Sequence, residues 1–183
     1  MITPQKLIYF SAAASAIFAV ACLAAYANLG SDLFYSLAVT FCAILYHIIM
    51  RMAVVAAVTA VRTGRSDDFA FELGRGEQIF YKAVRTKSWK NRVPTYNPSL
   101  FEVKGGNLPA LAHNMRNAEV GHTVIAALSF LPMSFSGIFG GFAAFAVTSV
   151  LAALFDLQFV FVQRYNRARV CRIIRAESRR VGN

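Results

Sequence analysis

Hydrophobic and polar positions along this chain fall into long blocks, with little short-period alternation. Leu7 to Ala27 is an uncharged apolar run, about the roughly 20 residues that a helix needs to cross a bilayer. Asn28 to Asp32 supplies turn-forming residues. A second apolar run, Leu33 to Val61, is interrupted by His47 and Arg51. As a helix it would extend about 43 Å at 1.5 Å per residue, more than the roughly 30 Å of a hydrocarbon core. It is therefore expected to tilt, or to protrude at its Arg51–Arg62 end, where the aliphatic stem of Arg51 can reach toward the surface.

Residues 62–111 form the one long polar section. Gly74 and Gly76 punctuate it, and the pattern after them predicts a short amphipathic helix from Glu77 to Trp89. That helix offers Ile79, Phe80, Val84 and Trp89 to a membrane surface. Pro94, Pro98, Gly105, Gly106 and Pro109 predict an irregular loop. Ala112 to Met133 reads as a helix that is polar in its first half and membrane-embedded in its second. Pro132 and the Ser134–Gly141 segment make the return, and Phe142 to Val162 is the last span. The expected fold class is all-α: a polytopic helical membrane protein with about four transmembrane helices, near residues 7–27, 33–61, 118–133 and 138–162. Interfacial amphipathic helices lie on its cytoplasmic side. The chain is expected to be a single integral membrane domain, 1–183, with a cytoplasmic section 62–112 and a basic tail 163–183.

A 57% hydrophobic composition excludes an ordinary soluble domain. Ala25-Tyr26-Ala27 resembles a signal-peptidase site. However, only Lys6 precedes the apolar run, and the run exceeds the roughly 7–15 residues usual for a signal peptide, so a retained first span is the preferred reading. The formal charge of +10 sits outside the apolar runs, and the connections near Asp32 and Gly140 hold no Lys or Arg. The positive-inside rule then places both termini and the polar section in the cytoplasm, with the chain crossing the cell membrane several times. The basic residues flank spans and do not interleave with aromatics along a groove-facing surface, which excludes nucleic acid as a partner. Cys22, Cys42 and Cys171 lack Cys-x-x-Cys spacing and are expected to be free thiols.

The segment His113 to His122 packs two histidines, two asparagines, Arg116 and Glu119 into ten residues just ahead of a span. Ionisable groups at that depth are costly and are candidates for function. On a helix Glu119 and His122 fall one turn apart on one face. A carboxylate beside an imidazole can orient it as a general base. The structural alternative is a solvated helix start in which Arg116 and Glu119 form an ordinary i, i+3 pair. His113 and Asn114 either add hydrogen-bond donors or sit on a solvated face.

Three signatures occur in order: Lys87-Ser88-Trp89-Lys90-Asn91-Arg92-Val93-Pro94, Arg116-Asn117-Ala118-Glu119-Val120-Gly121-His122 and Gln163-Arg164-Tyr165-Asn166-Arg167-Ala168-Arg169. Their order and spacing resemble the glycosyl-diaponeurosporenoate acyltransferase family, which finishes staphyloxanthin-type carotenoids, over about Phe69 to Arg180. The chain departs from that pattern at Thr95-Tyr96, where Asp-Gly is expected, and at Asp156-Leu157-Gln158, where Asn-x-Pro is expected. The resemblance implies a membrane enzyme that moves a fatty acyl group from an activated donor to a sugar hydroxyl of a glycosylated lipid. Membrane lipids, the glycosylated acceptor and the acyl donor are the expected partners. Acyl-CoA is then a co-substrate, and no cofactor is expected.

Chemistry assigns the roles within that reading. His122 is the base, Glu119 orients it, and Arg116 or Asn117 stabilises the oxyanion. Gln163, Arg164, Tyr165, Asn166 and Arg167 hold the donor or the sugar, since arginine forks suit phosphate. Arginines after a last span equally serve as anchors to anionic lipid. Trp89 and Lys90 make an interfacial anchor and a wall of the acyl site. His47 and Asp156 either line a substrate cavity or act as polar glue between spans. A di-iron centre would need two Glu-x-x-His motifs and two further glutamates, whereas the chain offers one such motif, so no metal site is expected. No Walker, Rossmann or nucleophile-elbow pattern occurs. A reading from another class is a non-catalytic adaptor or lipid-binding subunit whose polar cluster docks a partner.

Overall fold

Every regular element in the computed structural model, which describes residues 4–61, 71–89 and 107–181, is helical. The helices are α1 (Pro4–Leu29), α2 (Asp32–Val61), α3 (Arg75–Ala83), α4 (Thr86–Trp89), α5 (Leu108–Leu128), α6 (Ser136–Phe139) and α7 (Phe142–Val181). A 3-10 turn, Leu131–Phe135, joins α5 to α6. Four stretches are long and apolar enough to cross a membrane: Lys6–Leu29, Asp32–Ala60, Leu108–Phe139 and Phe142–Arg180. The all-α, four-span architecture expected from the blocks of apolar residues is therefore present. The loop expected at Pro94, Pro98, Gly105 and Gly106 falls outside the described residues.

Three boundaries differ from the expected ones, each for a local reason. The third span leaves α-helical geometry at Leu128, earlier than Met133. Pro132 has no N–H, so the α-ladder cannot pair that position with the Leu128 carbonyl four residues back. The Tyr46 hydroxyl donates to that carbonyl instead, at 3.0 Å. The amphipathic stretch is two helices, because Arg85 adopts φ 51° directly after α3, a left-handed residue of the kind that ends helices. The last span does not stop near Val162, since α7 runs unbroken to Val181. Ala168, Cys171 and Ile174 fall on one face of it and are buried, which gives the arginine-rich tail an apolar stripe to fold on.

The chain divides into two compact units, residues 1–57 with 124–156 and residues 58–123 with 157–183. In the first, Phe18 stacks on Phe41 (5.1 Å) and Tyr26 meets Tyr35 (5.2 Å), tying α1 to α2. Contacts then climb together along α2 and α7. The Tyr35 hydroxyl donates to the Phe139 carbonyl at 2.8 Å. Val39 and Ala43 pack with Phe145, and Arg51 binds Asp156 and the Ala152 carbonyl. These two helices consequently run parallel within the unit. Gly141, at φ 64°, makes the turn into α7 in a conformation that favours glycine.

Within the same unit Asp156 is 1% exposed, and it accepts from Arg51 Nε at 3.0 Å and from Arg51 Nη2. His47 lies one turn before Arg51 on α2 and is buried edge-on against Tyr46, with neither ring nitrogen hydrogen-bonded. A paired charge in such a setting is tolerated, whereas an orphaned one is not. Asp156→Ala should destabilise the protein by roughly 3–5 kcal/mol through the stranded guanidinium. The double variant Arg51→Met/Asp156→Leu should recover most of that loss. Unfolding in mixed micelles measures both, and a double variant no better than the single would remove the ion pair as the cause.

Candidate active site

The second unit is organised by α5 and the C-terminal half of α7, which pack antiparallel. Leu111, Ala112 and Met115 of α5 bury against Val170, Cys171 and Ile174 of α7, with Phe71 and Leu108 at the margin. One turn further along α5, Glu119 reaches the same face of α7 and is 8% exposed. Its Oε1 accepts from Arg164 Nη1 at 2.7 Å and its Oε2 from Arg167 Nε at 3.0 Å. Arg164 Nε donates to Glu77 Oε1 at 2.5 Å. Both guanidinium groups also cover the Phe71 ring, at 3.6 Å for Arg167 and 4.9 Å for Arg164, a favourable placement of cation over aromatic face. Two carboxylates and two arginines thus balance within one cluster.

Glu77 is delivered to this cluster by the start of α3. Its Oε2 accepts from the Gly74 N–H at 3.0 Å, the reciprocal half of a capping box. The hydrogen bond from Arg164 holds the Glu77 carboxyl below the usual carboxylate range, against the opposing effect of burial. Around these groups α3, α5 and α7 border an open groove of about 570 Å³. Glu77, Tyr81, Glu119, Thr123 and Arg164 form its polar side, and Phe80, Val160 and Phe161 its apolar wall, with Gly76 at the lip. Phe80 lies against Phe161 (5.1 Å between centroids) and Tyr81 against Tyr165 (5.5 Å). Tyr81 is 5% exposed, and burial, with the Glu77 charge beside it, pushes its phenol up to about 12.

The residues singled out from the sequence divide around this groove. Glu119 and Arg164 line it, and Arg167 joins them through Glu119. Glu119, expected to orient His122, is shared by two arginines. The His122 ring is half-buried and stacked flat on Phe159, at 4.6 Å and 10°. His113, Asn114, Arg116 and Asn117 are half-buried along α5, and Gln163, Tyr165 and Asn166 along α7, none of them lining the groove. Trp89 closes α4, and Lys90 lies outside the described residues. His47 and Asp156 belong to the other unit. Glu77, Tyr81, Thr123, Phe161 and Phe71 were not singled out as site residues. The available signal was modest: a Gly-x-x-Glu cap and a Glu77–Tyr81 spacing of one turn.

The profile of the glycosyl-4,4'-diaponeurosporenoate acyltransferase (CrtO) family matches residues 67–176, more than half of the chain. The chain belongs to that family. The acyltransferase match includes every residue of the groove and both ends of the ion-pair cluster, while α1, α2 and His47 precede it. No curated protein and no solved structure matches this member of the acyltransferase family.

The lowered Glu77 carboxyl has a defined consequence for pH. A depressed folded value stabilises above the unfolded value, about 4.3 for a glutamate, and the contribution is lost as the pH falls through the folded value. The melting temperature of the native protein should therefore exceed that of Glu77→Gln at pH 7, and the difference should shrink near pH 3. Thermal unfolding in a zwitterionic micelle at both pH values tests this, and a difference independent of pH would contradict the Arg164–Glu77 linkage.

Proposed function

We propose that this protein transfers a fatty acyl group from acyl-CoA to a sugar hydroxyl of a glycosylated carotenoid-type lipid. The reaction is placed at the cytoplasmic leaflet of the cell membrane, with both termini cytoplasmic as the distribution of Lys and Arg suggests. Family membership supports the acyltransferase activity and the glycosyl carotenoid acceptor. The observation that carries the reading is the groove itself, in which carboxylates and hydroxyls face an apolar aromatic wall. That composition suits an amphipathic substrate with a polar head and a lipid tail.

In this mechanism His122 removes the proton from the sugar hydroxyl as its oxygen attacks the thioester carbonyl. The resulting oxyanion takes hydrogen bonds from Arg116 or Asn117. Collapse forms the ester, breaks the C–S bond and returns the proton from His122 to the departing thiolate. Stacking on Phe159 fixes the plane of the imidazole. Glu119 contributes at one remove, by tying α5 to Arg164 and Arg167 of α7. Gln163 to Arg167, with Trp89, Lys90, His47 and Asp156, complete the set of candidate binding positions.

Purified protein incubated with acyl-CoA and a glycosylated terpenoid lipid should yield a product heavier by one acyl group. His122→Ala should lower the rate by roughly 10²–10⁴-fold, the usual contribution of a general base. Equal acylation by both proteins would remove His122 from the mechanism, and no acylated product with any donor would remove the activity.

A further inference from the structure

The groove offers a sugar much and a phosphate little. Arg164, at its polar side, and Arg167, joined to it through Glu119, are already matched by Glu77 and Glu119. A phosphate on Arg164 would compete with both Glu77 and Glu119, and one on Arg167 with the buried Glu119, so either would have to displace ion pairs already made. The cluster also carries no net charge with which to attract the several negative charges of a nucleotide donor.

What remains open to a ligand is of a different kind. The Tyr81 hydroxyl lines the groove and makes no hydrogen bond among the described residues. Its raised titration range keeps it a proton donor at any physiological pH. Glu77 keeps about a third of its side chain exposed, and each carboxylate oxygen can accept more than one hydrogen bond. Phe80 and Phe161, their rings tilted 60° to each other, complete an apolar wall against which the C–H side of a pyranose can lie. At the lip, Gly76 has nothing within 4 Å of where a side chain would begin.

We infer that this groove is the subsite for the acceptor's sugar, with Tyr81 and Glu77 reading its hydroxyls, and that the phosphate-bearing donor is held outside it. The assignment rests on the acyl-transfer reading above and commits the groove to one of the two substrates. Gly76→Trp adds a large side chain at the edge of the groove, from a position where a Cβ meets no other atom within 4 Å. Tyr81→Phe removes one hydroxyl and nothing else.

Binding of phenyl β-glucoside and, separately, of coenzyme A to full-length protein in phosphatidylcholine nanodiscs can be followed by saturation-transfer NMR. The native protein should bind the glucoside. Gly76→Trp should abolish that binding, and Tyr81→Phe should weaken it about tenfold, as expected for one buried hydrogen bond. Coenzyme A binding should be unchanged in every variant. Glucoside binding that is absent from the native protein, or indifferent to both groove variants, would overturn the assignment. So would loss of coenzyme A binding in Gly76→Trp, which would make the groove the donor's. Intact, groove-dependent glucoside binding without acyl transfer would count against the reaction and leave the sugar subsite standing.

Discussion

Two carboxylates and two guanidinium groups share one partly buried corner of the second unit, and the arrangement of that unit depends on their balance. Glu119 sits on α5, Glu77 on α3, and Arg164 and Arg167 on α7, so one cluster ties three helices together. Removing Glu119 leaves Arg167, with 11% of its side chain exposed, without its counter-charge, whereas Glu77 and Arg164 keep about a third of theirs exposed. The geometry also explains how a groove survives between apolar helices. Side chains that must keep their charges paired hold α3, α5 and α7 at set positions, and Tyr81 and Thr123 then face the space between them. Phe71 closes the far side beneath both arginines.

The first unit follows a different economy of interactions. Large apolar side chains such as Phe10, Ile17 and Ile138 are exposed on its surface, as suits helices whose solvent is lipid. Two of its polar contacts serve groups that would otherwise go unsatisfied. Tyr46 serves the carbonyl that Pro132 leaves behind, and Arg51 and Asp156 serve each other.

The spans were readable from the chain because a bilayer asks only for a block of apolar residues of sufficient length, and α1 and α2 match those blocks closely. The family was readable too, since its signatures are local strings. The extension of α7 to Val181 was hidden by composition: arginines dominate the tail, and the buried Ala168, Cys171 and Ile174 lie three apart between them. The arginines that bind Glu119 were hidden for another reason: they lie 45 and 48 residues away. Long-range pairing of that kind leaves no periodic trace. Nor does the groove, whose polar side draws single residues from three helices, so Tyr81 and Glu77 looked like ordinary positions on an amphipathic turn.

The pairing of Arg51 with Asp156 also spans 105 residues, and this imposes an order on biogenesis. The helix that carries the guanidinium leaves the ribosome and reaches the bilayer long before its counter-ion has been translated. Until the final helix is made, Arg51 lacks the carboxylate it pairs with in the folded protein. A nascent chain interrupted before that point carries a lone charge in the membrane, a feature that quality-control proteases can recognise.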